Sequence, residues 1–386
     1  MPPRRRAQLW PRSNSGAAVR IAFYAPLKPP DHPVPSGDRR IARLLLAALR
    51  LAGHAPLIAA RLRSWEGRGD RLRQAHLAAI GRRLAERIIA RARAAPETAP
   101  ELWFTYHLYH KAPDWLGPDV AGALGIPYIV VEASFAPKQA GGPWAAGHRA
   151  AERAIRGADL VIGLNPADRD CVLPLLSDPA RYLSLKPFLD ADAYAARAGT
   201  AARAPRLIAV AMMRHGDKLA SYRVLGEALS RLLDLDWTLE VVGDGAARRE
   251  VARALARVAE RVRWSGALAA PALGERLAAA DLCVWPAINE AFGMALLEAQ
   301  ASGLPVVAGA GDGVGAIIVP EETGLLVAPG DAPGFAAAVR GLIVDRDRRA
   351  RFAAAARRHV LADHGLAAAA RRLGAALGRF ERRHAA

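Results

Sequence analysis

The sequence predicts an α/β protein of two domains, each built on a parallel β-sheet covered by helices. Its 386 residues, 52% of them apolar, exceed what one ordinary hydrophobic core accommodates. Short apolar runs alternate with helix-compatible segments, an order that is typical of parallel sheets. An Ala-rich stretch, 191–204, interrupts this alternation before Pro205. We therefore expect two Rossmann-like domains joined by a linker at 191–204, with a cleft between them.

The first series of elements predicts an N-terminal domain over residues 17–190. The run VRIAFYAP, which starts at Val19, indicates a buried strand that stops at Pro26, and a helix is expected over 39–51. Residues 1–16 are rich in Arg and lack the apolar segment of a secretory signal, so we expect a disordered basic tail. Further strands are predicted at 102–105, 128–131 and 160–164.

A second series of six β-rich runs, spaced by helical segments, predicts a second domain over 205–369. From Arg346 onward the sequence is rich in Ala and Arg and predicts helix. We expect the last part of that helix, about 370–386, to rejoin the first domain. The six runs are RLIAVAMM, WTLEVVG, RVRWSG, DLCVWPA, LPVVAGA and GLLVAP.

The sequence predicts neither a membrane span nor a cysteine-based site. The apolar run 120–131 is shorter than the roughly 18 residues that a spanning helix requires. Cys171 and Cys283 lack paired spacing and have no His at metal-ligand spacing, which indicates a reducing compartment without a disulfide or zinc site. These features predict a cytoplasmic protein that is at most peripheral on the inner face of the cell membrane.

The formal net charge of +17 is concentrated in the first half of the chain. Between Arg61 and Arg93, arginines alternate with Leu, Ile and Ala, which predicts a basic amphipathic helix. Such a helix either binds an anionic membrane surface or is simply a solvated face. Nucleic acid is not expected as a partner, because aromatic residues are not interleaved with the basic ones.

The segment from Glu290 to Glu298 carries the richest chemistry. It follows an apolar run, and Gly303 is suited to end a helix over about 293–302. Free amides at the start of that helix would form an anion site, and Glu290 would lie in the preceding loop. Glu298 would accept hydrogen bonds from vicinal hydroxyls such as those of a ribose. The predicted amides are those of Phe292, Gly293 and Met294.

Four segments in order resemble the retaining GT-B glycosyltransferases, particularly the large family GT4. Together they cover about 206–331, and their order is far more specific than any one of them. The resemblance implies two facing Rossmann-like domains with an interdomain cleft, and a donor held by the C-terminal domain. The segments are the E-x7-E motif Glu290–Glu298, the basic pair in Arg214–Lys218, the VGDG turn at 242–245 and GLLVAPGD at 324–331.

The basic pair fits the departure of a diphosphate, whose negative charge grows as the glycosidic bond breaks. Arg214 can bind two phosphate oxygens with its planar fork, and Lys218 supplies a compact charge. This arrangement can replace a metal, so we expect neither a metal nor a separate cofactor. The expected donor substrate is a nucleoside-diphosphate sugar, and the acceptor is a hydroxyl of a glycan or a lipid-linked molecule.

Several further residues are candidates for this site. Gly243 is expected to form a tight turn close to the nucleotide, with Asp244 as a helix N-cap. By resemblance, Gly37 belongs to a glycine loop whose backbone N–H faces the diphosphate. His107 and His110 follow an expected strand, and either of them is a candidate for contact with the sugar.

The family normally places a histidine after the strand predicted at 128–131, but this chain has Glu132. Glu132 is therefore the candidate for accepting a hydrogen bond from an acceptor or sugar hydroxyl. A second departure is Ala316, which stands where the family often has glutamate. These departures leave the identity of the sugar open.

Two other functions remain open at this point. A related GT-B nucleotide-sugar epimerase would use carboxylates to move a proton at the sugar. A catalytically inactive basic protein would bind membranes or polyanions and would not respond to nucleotides.

Overall fold

Within the residues that this computed structural model describes, 18–34, 36–194, 204–290 and 293–381, twelve strands form two six-stranded parallel sheets. Each sheet belongs to its own unit. Unit 1 holds the part of the chain before Lys186 together with the part after Ala368, and unit 2 holds Lys186–Ala368. The basic tail predicted at 1–16 and most of the predicted linker, 195–203, lie outside the described residues.

The sheet of unit 1 contains four strands that the sequence predicts and two edge strands that it does not. The strands are β1 (Arg20–Tyr24), β2 (Ala55–Ile58), β3 (Leu102–Leu108), β4 (Tyr128–Ala133), β5 (Leu160–Gly163) and β6 (Tyr182–Ser184). Their order across the sheet is β2-β1-β3-β4-β5-β6. The two unpredicted strands are β2, which contains a proline, and β6, which has three residues, and such short edge strands carry little apolar pattern.

Helices pack on this sheet, and the longest of them corrects the prediction for the Arg-rich segment. That helix begins at Arg71, not near Arg61, because Asp70 caps it by accepting a hydrogen bond from the Arg73 N–H at 3.0 Å. Gly69 precedes the cap with a φ of 78°. The helices are α1 (Gly37–Leu51), α2 (Arg71–Ala94), α3 (Gly117–Leu124), α4 (Ala145–Arg156) and α5 (Arg169–Val172).

The apolar face of α2 is already used for packing within unit 1. Ala85 and Ile88 are buried in the hydrophobic core of the unit, whereas Arg82, Arg83 and Arg87 are exposed. The helix is thus amphipathic as predicted, with its basic face accessible and most of its apolar face buried; Leu72 in the first turn is exposed. Among the described residues, no helix is both long and apolar enough to cross a bilayer.

Unit 2 contains all six strands that the sequence predicts. They are β7 (Arg206–Val210), β8 (Thr238–Val242), β9 (Val262–Gly266), β10 (Leu282–Trp285), β11 (Val306–Gly309) and β12 (Gly324–Val327). Their order is β12-β11-β10-β7-β8-β9. The helices are α6 (Asp217–Ser230), α7 (Arg248–Ala254), α8 (Ala270–Ala279), α9 (Met294–Ala301), α10 (Asp312–Gly315), α11 (Ala332–Val344) and α12 (Arg346–His359).

The helix predicted from Arg346 to the C-terminus is not continuous. A π-helical turn, Val360–His364, and Gly365 separate α12 from the last helix, α13 (Leu366–Glu381). The ring Nδ1 of His364 lies 2.6 Å from the carbonyl oxygen of Pro187, and this buried contact fixes the interruption. Burial lowers the pKa of His364 to about 4. From Ala369 onward, α13 belongs to unit 1.

Candidate active site

In unit 2 the predicted basic pair lies at the carboxyl end of β7, where ligands bind in open parallel sheets. Arg214 is exposed in the loop between β7 and α6. Gly216 ends this loop with a φ of 78°, a conformation that favours glycine. Lys218 is the second residue of α6, and its side chain is 24% exposed. The fold therefore presents two cations on one short loop and the helix turn that follows it.

Lys218 forms an ion pair with Glu290, which the sequence predicted as its neighbour in the site. The indole N–H of Trp285, the last residue of β10, donates to the same carboxylate at 3.2 Å. The Lys218 ammonium also lies 5.6 Å from the centre of the Trp285 ring. These contacts join the ends of two adjacent strands, β7 and β10, into one cluster of opposite charges.

The loop that carries Glu290 is held by the first turns of α6. The Ser221 hydroxyl accepts a hydrogen bond from the Ile288 N–H at 3.0 Å, and the Asn289 amide donates to Asp217 at 3.1 Å. Asn289 has a φ of 49°, in the left-handed region that asparagine tolerates. Sequence reasoning missed these contacts, because nothing in the order of residues shows that α6 and this loop meet.

The helix after this loop forms as predicted. It spans Met294–Ala301, and Gly303 follows its C-cap with a φ of 75°. The amide of Gly303 donates to the Gln300 carbonyl, and this is one of the two hydrogen bonds of a Schellman motif. Gly293 and Met294 lie at its amino end, before the first amide that bonds back within the turn. Phe292 lies outside the described residues, so its predicted role stays a prediction.

Glu298 is buried on α9 and is only 3% exposed. Burial raises the pKa of Cys283 to about 12, and the negative charge of Glu298 adds to this shift, which places the Glu298 carboxylate near β10. The role predicted for Glu298 in binding a ribose stays a prediction.

Gly243 and Gly245 form a turn, as predicted. Glycine is needed at both positions because the neighbouring loop lies too close to leave room for a side chain. A Cβ on Gly243 would lie 1.9 Å from the Ala211 carbonyl oxygen, and one on Gly245 would lie 2.3 Å from that of Met213. Their φ values of 142° and 153° also favour glycine. The prediction that Asp244 caps a helix is wrong: α7 begins at Arg248, and Asp244 accepts from the Gly245 N–H at 2.8 Å.

In unit 1, Gly37 is the first residue of α1. The Ser36 hydroxyl caps this helix by accepting from the Arg39 N–H at 3.2 Å. Outside the backbone of its own helix, no heavy atom of the described residues lies within 4 Å of where a Cβ on Gly37 would be, so neither packing nor backbone conformation requires glycine there. The predicted approach of a diphosphate to this glycine remains untested.

His107 lies in β3 and pairs with Asp38, a residue that the sequence analysis did not single out. The His107 Nδ1 and an Asp38 carboxylate oxygen are 2.8 Å apart, and the imidazole is 25% exposed. Burial raises the pKa of Asp38, but the hydrogen bond and charge of His107 outweigh it, so the net pKa is lowered. His107 has a φ of 60°, which is strained for a residue within a strand.

Glu132 is next to His107 in the neighbouring strand, β4, and has an almost identical φ of 59°. Its carboxylate accepts a hydrogen bond from the Leu164 N–H at 3.0 Å, and the residue is 5% exposed. Burial raises its pKa to about 7, although the charge of His107 acts in the opposite direction. One oxygen of Glu132 is thus already bonded within the fold.

The structure therefore collects the predicted residues into two groups. In unit 2, Lys218 and Glu290 are in contact, Arg214 shares their loop, and Gly243 packs on that loop. In unit 1, His107 and Glu132 are neighbours, and Asp38 links His107 to the helix that Gly37 begins. His110 lies beyond the end of β3, edge-on to Trp144. Among the described residues, no group of three or more His, Cys, Asp or Glu could hold a metal ion.

Comparison with known proteins finds a family match within the second unit. Residues 204–345 match the family described as "Glycosyl transferases group 1". The chain is also 32% identical over 228 residues to a D-inositol 3-phosphate glycosyltransferase of Geodermatophilus obscurus, which covers 54% of this chain and 50% of that protein. A protein of the same name from Thermomonospora curvata is 39% identical over 120 residues, or 30% of this chain and 28% of that protein. The chain thus spans half or less of the length of these relatives.

Solved structures resemble the fold over nearly the whole chain. A sucrose-phosphate synthase from Thermosynechococcus elongatus superposes with a TM-score of 0.69 at 20% identity, covering 94% of this chain and 98% of that one. Anabaena HepE, solved in complex with UDP, gives a TM-score of 0.71 at 16% identity and covers 94% and 100%. These similarities confirm the predicted α/β fold class, GT-B.

Proposed function

We propose that this chain is a retaining glycosyltransferase that moves a sugar from a nucleoside-diphosphate sugar to a hydroxyl of a glycan or a lipid-linked acceptor. The observation that carries the proposal is the contact of Lys218 with Glu290 at the carboxyl ends of β7 and β10. A cation and a carboxylate side by side suit a ligand that has both a diphosphate and sugar hydroxyls.

The charged residues of this cluster have different roles in the proposed reaction. Lys218 and Glu290 are paired, so their net charge is near zero, and Arg214 adds an exposed cation in the loop before α6. As the bond between the anomeric carbon and the phosphate oxygen breaks, Arg214, Lys218 and the amino end of α9 stabilise the negative charge on the departing diphosphate. No metal is needed in this scheme.

The acceptor step follows from the same leaving group. The acceptor oxygen forms the new bond to the anomeric carbon, and its proton passes to an oxygen of the departing diphosphate on the same face of the sugar. Glu290 binds sugar hydroxyls, and His107 or Glu132 contacts the sugar or the acceptor. The protein works in the cytoplasm, on the inner face of the membrane if its acceptor is lipid-linked.

Thermal-shift screening against UDP-, GDP- and ADP-sugars tests the donor assignment. We expect one nucleotide series to raise the melting temperature, since a ligand that binds only the folded state stabilises it. Replacement of Glu298 with alanine is expected to abolish donor binding in calorimetry. Unchanged affinity in that variant would remove the ribose assignment, and epimerised donor formed without any acceptor would favour an epimerase instead.

A further inference from the structure

A cluster of cations and aromatic rings lies beyond the carboxyl ends of β3 and β4 in unit 1. It consists of His110, Lys111, Lys138, Trp144 and His148. His110 and Lys111 occupy the tip of a tight turn, closed by backbone hydrogen bonds of 3.0 and 3.4 Å between Tyr109 and Ala112. The first turn of α4 packs against this tip so closely that a Cβ on Gly147 would lie 2.0 Å from the His110 carbonyl oxygen. The tip is therefore fixed in place by its neighbours.

The backbone of Glu66 connects the turn that carries Lys111 to the side chain of Trp144. Its N–H donates to the Lys111 carbonyl at 2.8 Å, and its own carbonyl accepts from the Trp144 indole at 2.9 Å. The Glu66 carboxylate is buried and accepts from three successive backbone amides, those of residues 68–70. Its charge is thus satisfied within the scaffold.

The side chains of the cluster place cations around the aromatic ring of Trp144. The Lys111 ammonium lies 4.4 Å from the centre of the Trp144 ring, and the His110 ring meets Trp144 edge-on at 5.8 Å. Burial lowers the pKa of His110, and the charges of Lys111, His148 and Lys138 lower it further, in decreasing order, so Lys138 adds a second ammonium to this neighbourhood. Among the described residues, neither lysine has a carboxylate within ion-pair distance.

Two imidazoles of this cluster also have unsatisfied polar atoms. Among the described residues, the buried Nε2 atoms of His110 and His148 have no hydrogen-bond partner, and His148 is only 4% exposed. Unpaired polar atoms are rare in buried positions because each one costs free energy. A phosphate or carboxylate binds where cations and hydrogen-bond donors are free to contact its oxygens. This cluster offers ammonium groups without counter-charges beside unpaired ring nitrogens.

We infer that this cluster binds an anionic group, a phosphate or a carboxylate, on the sugar acceptor. Lys111 and Lys138 bind its oxygens, an imidazole nitrogen donates to it, and the Trp144 face packs against the adjoining sugar ring. The inference rests on the proposed function, because it assigns the acceptor of that reaction to an anionic class.

Paired ligands test this inference by calorimetry at fixed ionic strength: glucose against glucose 6-phosphate and against glucuronate, and inositol against inositol 1-phosphate. At least one anionic ligand should bind about tenfold more tightly than its neutral partner. Lys111→Gln and the exposed Lys138→Gln should each remove about that preference. Arg83→Gln, which removes the same charge from the exposed face of α2 in the same unit, should leave it intact.

The phosphate and carboxylate ligands distinguish the two anion classes. If no anionic ligand is preferred, or if Arg83→Gln has the same effect as Lys111→Gln and Lys138→Gln, the inference is wrong. Nucleotide binding separates it from the proposed function. Stabilisation by a nucleotide without anion preference would overturn only the inference. Lysine-dependent anion binding without any nucleotide response would overturn the transferase and the acceptor assignment, and would leave only an anion site.

Discussion

Trp285 connects the two charged residues of the candidate site in unit 2. It is 1% exposed, donates to Glu290, lies beneath Lys218, and packs edge-on against Tyr222 with ring centres 4.9 Å apart. An indole can do all of this at once because it has an apolar body and one N–H. The geometry makes Trp285 the residue that orients the Glu290 carboxylate.

Replacing Trp285 with phenylalanine should weaken donor binding, because it keeps an aromatic ring and removes the N–H. Loss of a hydrogen bond to a carboxylate costs about 1.5 kcal/mol, so affinity for the nucleotide sugar should fall roughly tenfold. Calorimetry measures this change. The matched control is Trp237→Phe, since Trp237 is equally buried in unit 2 but donates to the Leu232 carbonyl. Equal loss of affinity in both variants would contradict the role of Trp285.

Glu132 should make the stability of unit 1 fall as the pH rises. Its pKa is about 7 in the folded protein against 4.5 for a free side chain, so between these values the folded state binds more protons than the unfolded one. Stability therefore decreases with pH across this window, by roughly 3 kcal/mol in total. Glu132→Gln stays neutral and still accepts from Leu164, so its unfolding free energy should lack this decrease.

Urea unfolding at a series of pH values from 4 to 8 measures the difference between the wild type and Glu132→Gln. The curves should diverge as the pH passes from 4.5 to 7 and run parallel above it. Parallel curves over the whole range would show that Glu132 titrates normally.

At the scale of elements, the loop after β7 and the turn after β8 form one structural piece. Met213 donates to the Asp244 carbonyl at 2.9 Å, and the Ala247 N–H donates to the Met213 carbonyl at 3.0 Å. The glycines of the turn allow these backbones to touch, so the position of Arg214 depends on a turn that is about 30 residues away in sequence.

Gly243→Ala should therefore damage both stability and donor binding. The added Cβ meets the Ala211 carbonyl oxygen, and alanine disfavours a φ of 142°, so we expect a loss of roughly 3 kcal/mol. Gly122→Ala is the control, because a Cβ on that helical glycine would meet no described atom outside its own helix backbone within 4 Å, so the variant should gain up to about 1 kcal/mol. Melting temperatures and nucleotide titration measure both effects, and a Gly243→Ala variant of normal stability would contradict this interpretation.

The sequence predicts the elements of this fold well wherever a buried strand leaves a continuous apolar run, as in β7 and β10. It fails for the edge strand β2, whose pattern a proline interrupts. In the site, motif order identifies Lys218 and Glu290. Ser221, Asp38 and Glu66 escape prediction, since each acts through a partner brought near only by tertiary packing.

At the scale of the whole molecule, the net charge of +17 and the packing of α2 limit the ways in which the chain could bind a membrane surface. An interfacial helix inserts its apolar face among the lipids. In α2 most of that face is buried in unit 1, and the exposed side carries arginines together with Leu72 in the first turn. Attraction to anionic lipid headgroups would then be mainly electrostatic, because one leucine offers little apolar surface to insert.

Binding to anionic vesicles should therefore be strong at low salt and disappear at high salt. Each basic side chain near the surface contributes about 1 kcal/mol, so replacing Arg82, Arg83 and Arg87 with glutamine should weaken binding at least a hundredfold in co-sedimentation. The control removes three exposed arginines of unit 2, namely Arg223, Arg351 and Arg358. Screening shortens the range of these forces to about 3 Å at 1 M salt, so binding that persists there would indicate an inserted apolar face. Equal weakening by both triple variants would show that net charge, not α2, attracts the chain to the vesicle.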